Sequence, residues 1–251
     1  MFLVGLGGAN AALTSGADLG GTLTTFIERV RSRRCNAVVF DLDGTLLDTL
    51  ADLGESMNEA LAELGCPAHT LDGYRTMIGD GVVELARRAL PAERRDDETI
   101  EACVASMRRI YAGRWDRKTR PYPGVPEMLG RIVDAGVPMA VLSNKPDEFT
   151  QAIVKRLLSR WKFAAVAGAR DGVPRKPDPT AALEIAKRLS IDPARCLYLG
   201  DTGTDMLTAR AAGMFAAGAL WGFRNAEELR RCGAQVLIER PAQVLDWLLA
   251  D

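Results

Sequence analysis

At 251 residues, with 47% of them hydrophobic and a formal net charge of −1, the chain can bury a sizeable core, and no chain-wide field favours nucleic acid or an anionic membrane surface. Five cysteines, Cys35, Cys66, Cys103, Cys196 and Cys232, are odd in number and form no Cys-x-x-Cys pair, so they read as reduced, buried thiols. The single histidine excludes a zinc site built on several histidines and leaves hydrolytic chemistry to carboxylates.

Met1 to Gly21 is interrupted by Gly5, Gly7, Gly8 and Asp18 and lacks the basic start of a signal peptide, so a soluble, cytoplasmic protein is expected. Gly5 to Asn10 is a partial dinucleotide fingerprint without its third glycine or alanine, Thr22 to Val30 suits a short helix, and Arg31 to Arg34 reads as a solvated charge run. Residues 1–33 are therefore expected to be an extension and not a cofactor site. Ala37 to Phe40 is a continuous apolar run that suits a buried parallel strand, with Asp41-Leu42-Asp43-Gly44 at its end. Leu50, Leu53, Met57, Leu61 and Leu64 follow at three- and four-residue steps with Gly65 as a stop, Gly81 to Leu90 forms a second helical pattern, and Ile100, Cys103, Val104, Met107 and Tyr111 share one face of a third. Between them His69, just after Cys66-Pro67, reads as a solvated, structural loop residue, because it lacks the orienting partner that general-base work requires. After Arg120-Pro121-Tyr122-Pro123-Gly124, short apolar runs at Met139 to Leu142, Ala164 to Ala167, Cys196 to Leu199, Phe215 to Ala219 and Gln235 to Ile238 alternate with helical stretches, the last at Ala242 to Leu249. The expected fold is α/β: a Rossmann-like parallel sheet core, residues 34–49 and 121–251, with an inserted all-helical cap, residues 50–120.

Open α/β sheets bind ligands beyond the carboxyl ends of their strands, and four such ends carry reactive residues. Asp41 and Asp43, two apart on an extended chain, point to the same side, and Gly44 lets the backbone turn close to a ligand. Crowded carboxylates repel unless a proton or a cation is shared between them, and Mg²⁺ suits all-oxygen ligands. In Ser143-Asn144-Lys145 a hydroxyl and loop amides are placed to donate to phosphate oxygens. Lys176, between Arg175 and Pro177, reads either as a surface turn or as a cation neutralising phosphoryl charge. Gly200-Asp201-Thr202-Gly203-Thr204-Asp205 brings two more carboxylates to a strand-to-helix turn, where acids also serve as caps. The conjunction of the four, each at the end of a separate element, marks a site.

Asp41-Leu42-Asp43-Gly44-Thr45-Leu46-Leu47-Asp48-Thr49 resembles the first motif of the haloacid dehalogenase-like superfamily, and Ser143, Lys176 and Gly200 to Asp205 resemble its other three, over about residues 36 to 240. The resemblance implies that Asp41 attacks phosphorus, that Asp43 protonates the leaving oxygen and then activates water, and that Ser143 and Lys176 hold the phosphoryl group. It implies Mg²⁺ bound by Asp41, Asp201 and the backbone carbonyl of Asp43, with Asp205 supporting the metal through water or orienting Lys176. The acid at Asp43, absent from dehalogenases and phosphonate hydrolases that resemble the first motif, favours hydrolysis of a phosphate ester or anhydride. Met77-Ile78-Gly79-Asp80-Gly81, Leu85 to Leu90 and Trp221-Gly222-Phe223 resemble the phosphoglycolate phosphatases of that superfamily.

The expected partner is thus a small phosphorylated metabolite, 2-phosphoglycolate first, lined by Gly44, Thr45 and Asn144, with a monomer or homodimer as the working form. Arg88 in the cap reads either as a bidentate partner for a substrate carboxylate or as part of a solvated helix face. A sugar phosphomutase, a pyrophosphatase and a non-catalytic phosphoprotein-binding module remain alternatives, the last disfavoured because every acid is present.

Overall fold

Ala37–Phe40 forms β1, buried on both faces, in a computed structural model that describes residues 35–248. The chain then makes a two-residue strand, β2 (Leu47–Asp48), four helices, α1 (Leu50–Glu63), α2 (Leu71–Tyr74), α3 (Val82–Ala89) and α4 (Asp97–Ala112), and a short returning strand, β3 (Arg120–Pro121). The remainder alternates: α5 (Val125–Asp134), β4 (Met139–Pro146), α6 (Asp147–Leu157), β5 (Ala165–Ala169), α7 (Thr180–Leu189), β6 (Cys196–Gly200), α8 (Gly203–Ala211), β7 (Phe215–Ala219), α9 (Ala226–Arg231), β8 (Val236–Ile238) and α10 (Leu245–Leu248).

The long strands pair in parallel in the order β5-β4-β1-β6-β7-β8, as the apolar runs joined by helices predict. From β1 the chain steps outward through β4 and β5, then returns to β6 on the other side. The strand order reverses beside β1, and the crevice of an open sheet lies there, beyond the carboxyl ends of β4, β1 and β6. Ala37 and Val39 of β1, Ala140 and Leu142 of β4, and Cys196 and Tyr198 of β6 make one core with the apolar faces of α7 and α8. A second core joins Met57 and Leu61 of α1, Leu85 of α3, and Ile100, Cys103, Met107 and Tyr111 of α4, the residues whose helical spacing marks them as apolar faces.

Several details depart from the sequence reading. The ribbon of β2 and β3, with Leu47 opposite Pro121 and Asp48 opposite Arg120, gives no sequence signal because two residues carry no period. Asp52, fully buried in the first turn of α1, reinforces this neck by accepting from the Lys118 and Thr119 amides and the Thr119 hydroxyl. β4 runs past its apolar run to Pro146, carrying Ser143, Asn144 and Lys145 within the strand. The last expected helix divides into a 3-10 turn at Pro241–Val244 and the short α10. His69 is structural but not solvated: half-buried, its Nε2 lies 2.7 Å from the Ala89 carbonyl oxygen and its ring meets Tyr74 edge-on. All five cysteines are free thiols, but Cys232 is only half-buried. The readings made for Gly5 to Asn10, Thr22 to Val30 and Arg31 to Arg34 lie outside the described residues. No helix among the described residues is long and apolar enough to cross a membrane.

Candidate active site

Asp41 leaves the end of β1 into the crevice and is 5% exposed. Lys176, on the loop between β5 and α7, reaches beneath it: Nζ donates to Asp41 Oδ1 (2.8 Å), Asp205 Oδ1 (2.7 Å) and the Leu142 carbonyl (3.2 Å). Asp201, just beyond β6, accepts from the Thr45 hydroxyl (3.0 Å) and the Phe223 amide (2.7 Å). Asp205 belongs to a capping box at the start of α8, its Oδ2 accepting from the Thr202 amide (3.0 Å) and hydroxyl (2.7 Å). Carboxylate oxygens of Asp41, Asp201 and Asp205 thus lie within 4.8 Å of one another in a fully buried group.

Three acids face one ammonium, so the cluster is short of positive charge. Burial, reinforced by repulsion from Asp205, holds the Asp41 carboxyl well above its usual range, and Lys176 offsets this only in part. Burial and Asp205 likewise push Asp201 up to about 7, against the Phe223 and Thr45 hydrogen bonds. Lys176 runs the opposite way. Burial would lower it, but Asp205 and Asp41 raise it well above the ordinary lysine value.

A cation would relieve the imbalance, and the site is shaped to admit one. Gly44 sits at φ +89°, and a Cβ on it would stand 2.2 Å from Asp201 Oδ2; one on Gly222 would stand 2.3 Å from Asp201 Cβ. The bare glycines keep the Asp201 face clear, and the all-oxygen donor set suits a hard cation. Asp41 and Asp201 could hold it directly, whereas Asp205 has one oxygen on Lys176 and the other on Thr202. Gly44→Ala is expected to cost about 1–3 kcal/mol through backbone strain and to cut turnover by roughly a hundredfold by displacing Asp201. Thermal melts and initial rates check both, and turnover at the wild-type level would contradict the cradle.

Asp43 points into the same cleft but stands apart from the three-acid cluster. Its Oδ1 lies 2.9 Å from Lys145 Nζ, close enough for an ion pair though too bent for a directed hydrogen bond, and Lys145 Nζ in turn donates to the Tyr111 hydroxyl (2.9 Å) from α4. Asp41 and Asp43 therefore each have their own buried lysine. Ser143 lines the cleft, its Oγ accepting from the Lys145 amide (3.2 Å), which leaves its O–H to donate.

Three of the expected substrate contacts prove to be internal supports. The Thr45 hydroxyl is committed to Asp201 and its carbonyl to the Trp221 indole N–H (2.9 Å). The Asn144 side chain accepts from the Lys176 amide (2.9 Å) and donates to the Lys176 and Gly79 carbonyls (3.1 and 3.2 Å), which positions the Lys176 loop against the cap. Arg88 does not line the cleft: its guanidinium pairs with Asp80 and donates to the Met77 carbonyl (2.9 Å). Asp80 lies only eight residues away and takes the cation first. Arg108 of α4 reaches the cleft edge instead, exposed and without a hydrogen bond or ion pair among the described residues.

Lys145 and Tyr111 were not singled out by sequence. The signal was present for Lys145, since a strand residue two beyond Ser143 faces the same side. Tyr111 reads only as a helix-face apolar residue. The helices close over the crevice through polar ties: Arg224 donates to the Thr76 and Ile78 carbonyls (3.1 and 2.8 Å), Arg75 to the Gly222 carbonyl (3.1 Å), and Thr204 to Asp80.

Known proteins resemble this chain in sequence and in fold. The profile of the haloacid dehalogenase-like hydrolases matches residues 38–219. A phosphoglycolate phosphatase of Xanthomonas campestris pv. campestris strain 8004 is 35% identical over 209 residues, 83% of this chain and 94% of that protein. Phosphoglycolate phosphatase 1 of Pseudomonas aeruginosa is 34% identical over 215 residues, 84% and 76% of the two chains. A crystal structure from Lactobacillus delbrueckii subsp. bulgaricus, of a protein provisionally assigned as a phosphoglycolate phosphatase, superposes with a TM-score of 0.82 at 29% identity, covering 87% of this chain and all of that one. The chain belongs to the haloacid dehalogenase-like hydrolase family, as an enzyme of phosphoglycolate phosphatase-like type.

Proposed function

We propose that the protein is a Mg²⁺-dependent phosphatase that hydrolyses a small phosphomonoester, 2-phosphoglycolate by preference, through an aspartyl-phosphate on Asp41. The observation that carries the reading is the division of two neighbouring acids between two buried lysines: Asp41 with Lys176, Asp43 with Lys145. Two carboxyls in unlike surroundings can take unlike roles. A carboxylate oxygen of Asp41 attacks phosphorus as the bond to the ester oxygen breaks, and Asp43 gives its proton to that oxygen. Asp43 then takes a proton from the water that attacks the aspartyl-phosphate, releasing phosphate and restoring Asp41. The Ser143 hydroxyl faces the phosphoryl oxygens, while Lys176, its Nζ donating to Asp41, Asp205 and the Leu142 carbonyl, adds positive charge beneath Asp41 that offsets the charge growing on them. Bound by Asp41 and Asp201, Mg²⁺ would supply the further positive charge that a phosphoryl dianion next to three acids requires. The apolar cap residues over the cleft exclude bulk water while the ester reacts.

Preference for 2-phosphoglycolate is supported by the names of the relatives and by two cations in the cleft lining, Lys145 and Arg108, that lie outside the group of Asp41, Lys176, Asp201 and Asp205. Phosphate release from 2-phosphoglycolate, ethyl phosphate, glucose 6-phosphate and pyrophosphate, each with Mg²⁺ and with chelator, is the test. The expected result is Mg²⁺-dependent release with 2-phosphoglycolate well above the rest. Equal rates in chelator would sink the metal, and a higher rate on pyrophosphate would sink the monoester.

A further inference from the structure

Lys145 is the second buried cation of the cleft, and the phosphoryl steps above leave it without a task beyond holding Asp43. It is 7% exposed, lines the cleft two residues after Ser143 on β4, and sits against Tyr111 of the cap, which is 3% exposed. An ammonium carries three N–H donors. The Tyr111 oxygen takes one of them, Asp43 lies beside the ammonium as an ion pair without a directed hydrogen bond, and among the described residues no other group accepts from it. Burial alone would lower this lysine, but the Asp43 carboxylate and Tyr111 more than offset it, so it stays charged. Burial, reinforced by Asp43 and only partly offset by Lys145, pushes Tyr111 up to about 12, so its O–H also remains available to donate.

The position is as telling as the charge. A general acid must lie within hydrogen-bond reach of the leaving oxygen. Lys145 Nζ is 2.9 Å from Asp43 Oδ1, so it stands beside whatever the leaving oxygen is attached to. In a phosphate ester of a 2-hydroxy acid the carboxylate is borne by the carbon that carries that oxygen, which brings it next to Lys145 whenever the ester oxygen is at Asp43. The flanking walls are apolar, Leu53, Ile78, Leu85 and Phe149 among them, so a charge pair there is poorly screened and a neutral leaving group finds no compensating interaction.

We propose that Lys145 and Tyr111 form a carboxylate subsite that selects phosphomonoesters of 2-hydroxy acids over those of neutral alcohols; this deepens the phosphatase reading and rests on it. Arg108, exposed at the cleft edge, is the rival receptor, and a charge in open solvent gives weak discrimination.

The test compares kcat/KM for 2-phosphoglycolate and for ethyl phosphate, which keeps the two-carbon chain and lacks the carboxylate. Wild type is expected to prefer 2-phosphoglycolate by roughly a hundredfold or more. Lys145→Met slows both esters, because Asp43 loses its partner, but it should collapse the ratio to within about threefold of unity. Tyr111→Phe retains the buried ammonium and most of the packing, and should lower the ratio about tenfold, mainly through KM, if the variant at Lys145 fails to fold. Equal losses on both esters in both variants would show that Lys145 only positions Asp43 and overturn the subsite. Collapse of the ratio in Arg108→Ala, with Lys145→Met retaining it, would overturn it in favour of the cap arginine. A wild type that cleaves both esters equally would overturn the subsite and the choice of 2-phosphoglycolate while the phosphatase reading stands. One inert on both would overturn all three.

Discussion

An Asp41→Asn variant is expected to lose phosphate release by at least about a thousandfold, while its fold in chelator stays as stable as the wild type's or becomes more so. The two halves have one cause. Burial and the neighbouring Asp205 disfavour a charge on Asp41, so neutral asparagine relieves repulsion at the position where the reaction needs a nucleophile. Lys176 keeps Asp205 and the Leu142 carbonyl as partners. The chelated wild type should also show the imbalance through pH. Asp201 titrates near 7 in the fold against an ordinary value of 3.8, so the folded state holds its proton more tightly than the unfolded chain. The stability this group contributes is complete below about 3.8 and is lost as pH rises to 7. A cation favours the ionised form, so the rise in Tm on adding Mg²⁺ should be larger at pH 8 than at pH 5.5, where protons must first be displaced. Equal Mg²⁺ shifts at both pH values, or an Asp41→Asn variant that turns over, would contradict this account.

Lys176→Met is expected to be the single change most damaging to the fold, and to lower activity heavily as well. The side chain is 2% exposed and touches Asp41, Asp205 and a backbone carbonyl, so its removal leaves two buried acids without their cation. Breaking a buried pair in this way costs about 3–5 kcal/mol, more than the pair contributes over an apolar substitute, because the orphaned charges remain. Lysine at this position is raised in the fold, so its contribution is fully present below its unfolded value of 10.5 and is lost only as pH rises beyond it. The variant's deficit should shrink in acid as Asp41, held well above its usual range by burial and Asp205, takes up its proton. Urea unfolding in chelator at pH 7.5 and pH 5 measures it, alongside initial rates with Mg²⁺, for which a loss of roughly a thousandfold is expected. A variant as stable as wild type would show that the acids are already neutral and the lysine dispensable to the fold.

Sequence and structure divide the site between them by range. Apolar runs that end on acids, Phe40 before Asp41 and Leu199 before Gly200-Asp201, are local patterns, and so are the helical faces of Leu53, Met57 and Leu61 or of Ile100, Cys103 and Met107. From these the parallel α/β core, its helical insertion and the group of Asp41, Lys176, Asp201 and Asp205 were legible, because strand ends in such a sheet converge by topology. What a side chain does on arrival was not. Thr45 meets Asp201 across 156 positions and the Lys145 ammonium meets Tyr111 across 34, pairings that no spacing announces. The sequence shows Arg88 and Arg108 as similar cations on cap helices, yet Asp80 occupies the first and the cleft receives the second. The sequence alone determined which residue types stand at the ends of which strands, through short-range periodicity and backbone preference. Only the tertiary structure decided which of them are committed to one another and which still face the cleft, since each hydrogen-bonding group is claimed by the nearest partner in space.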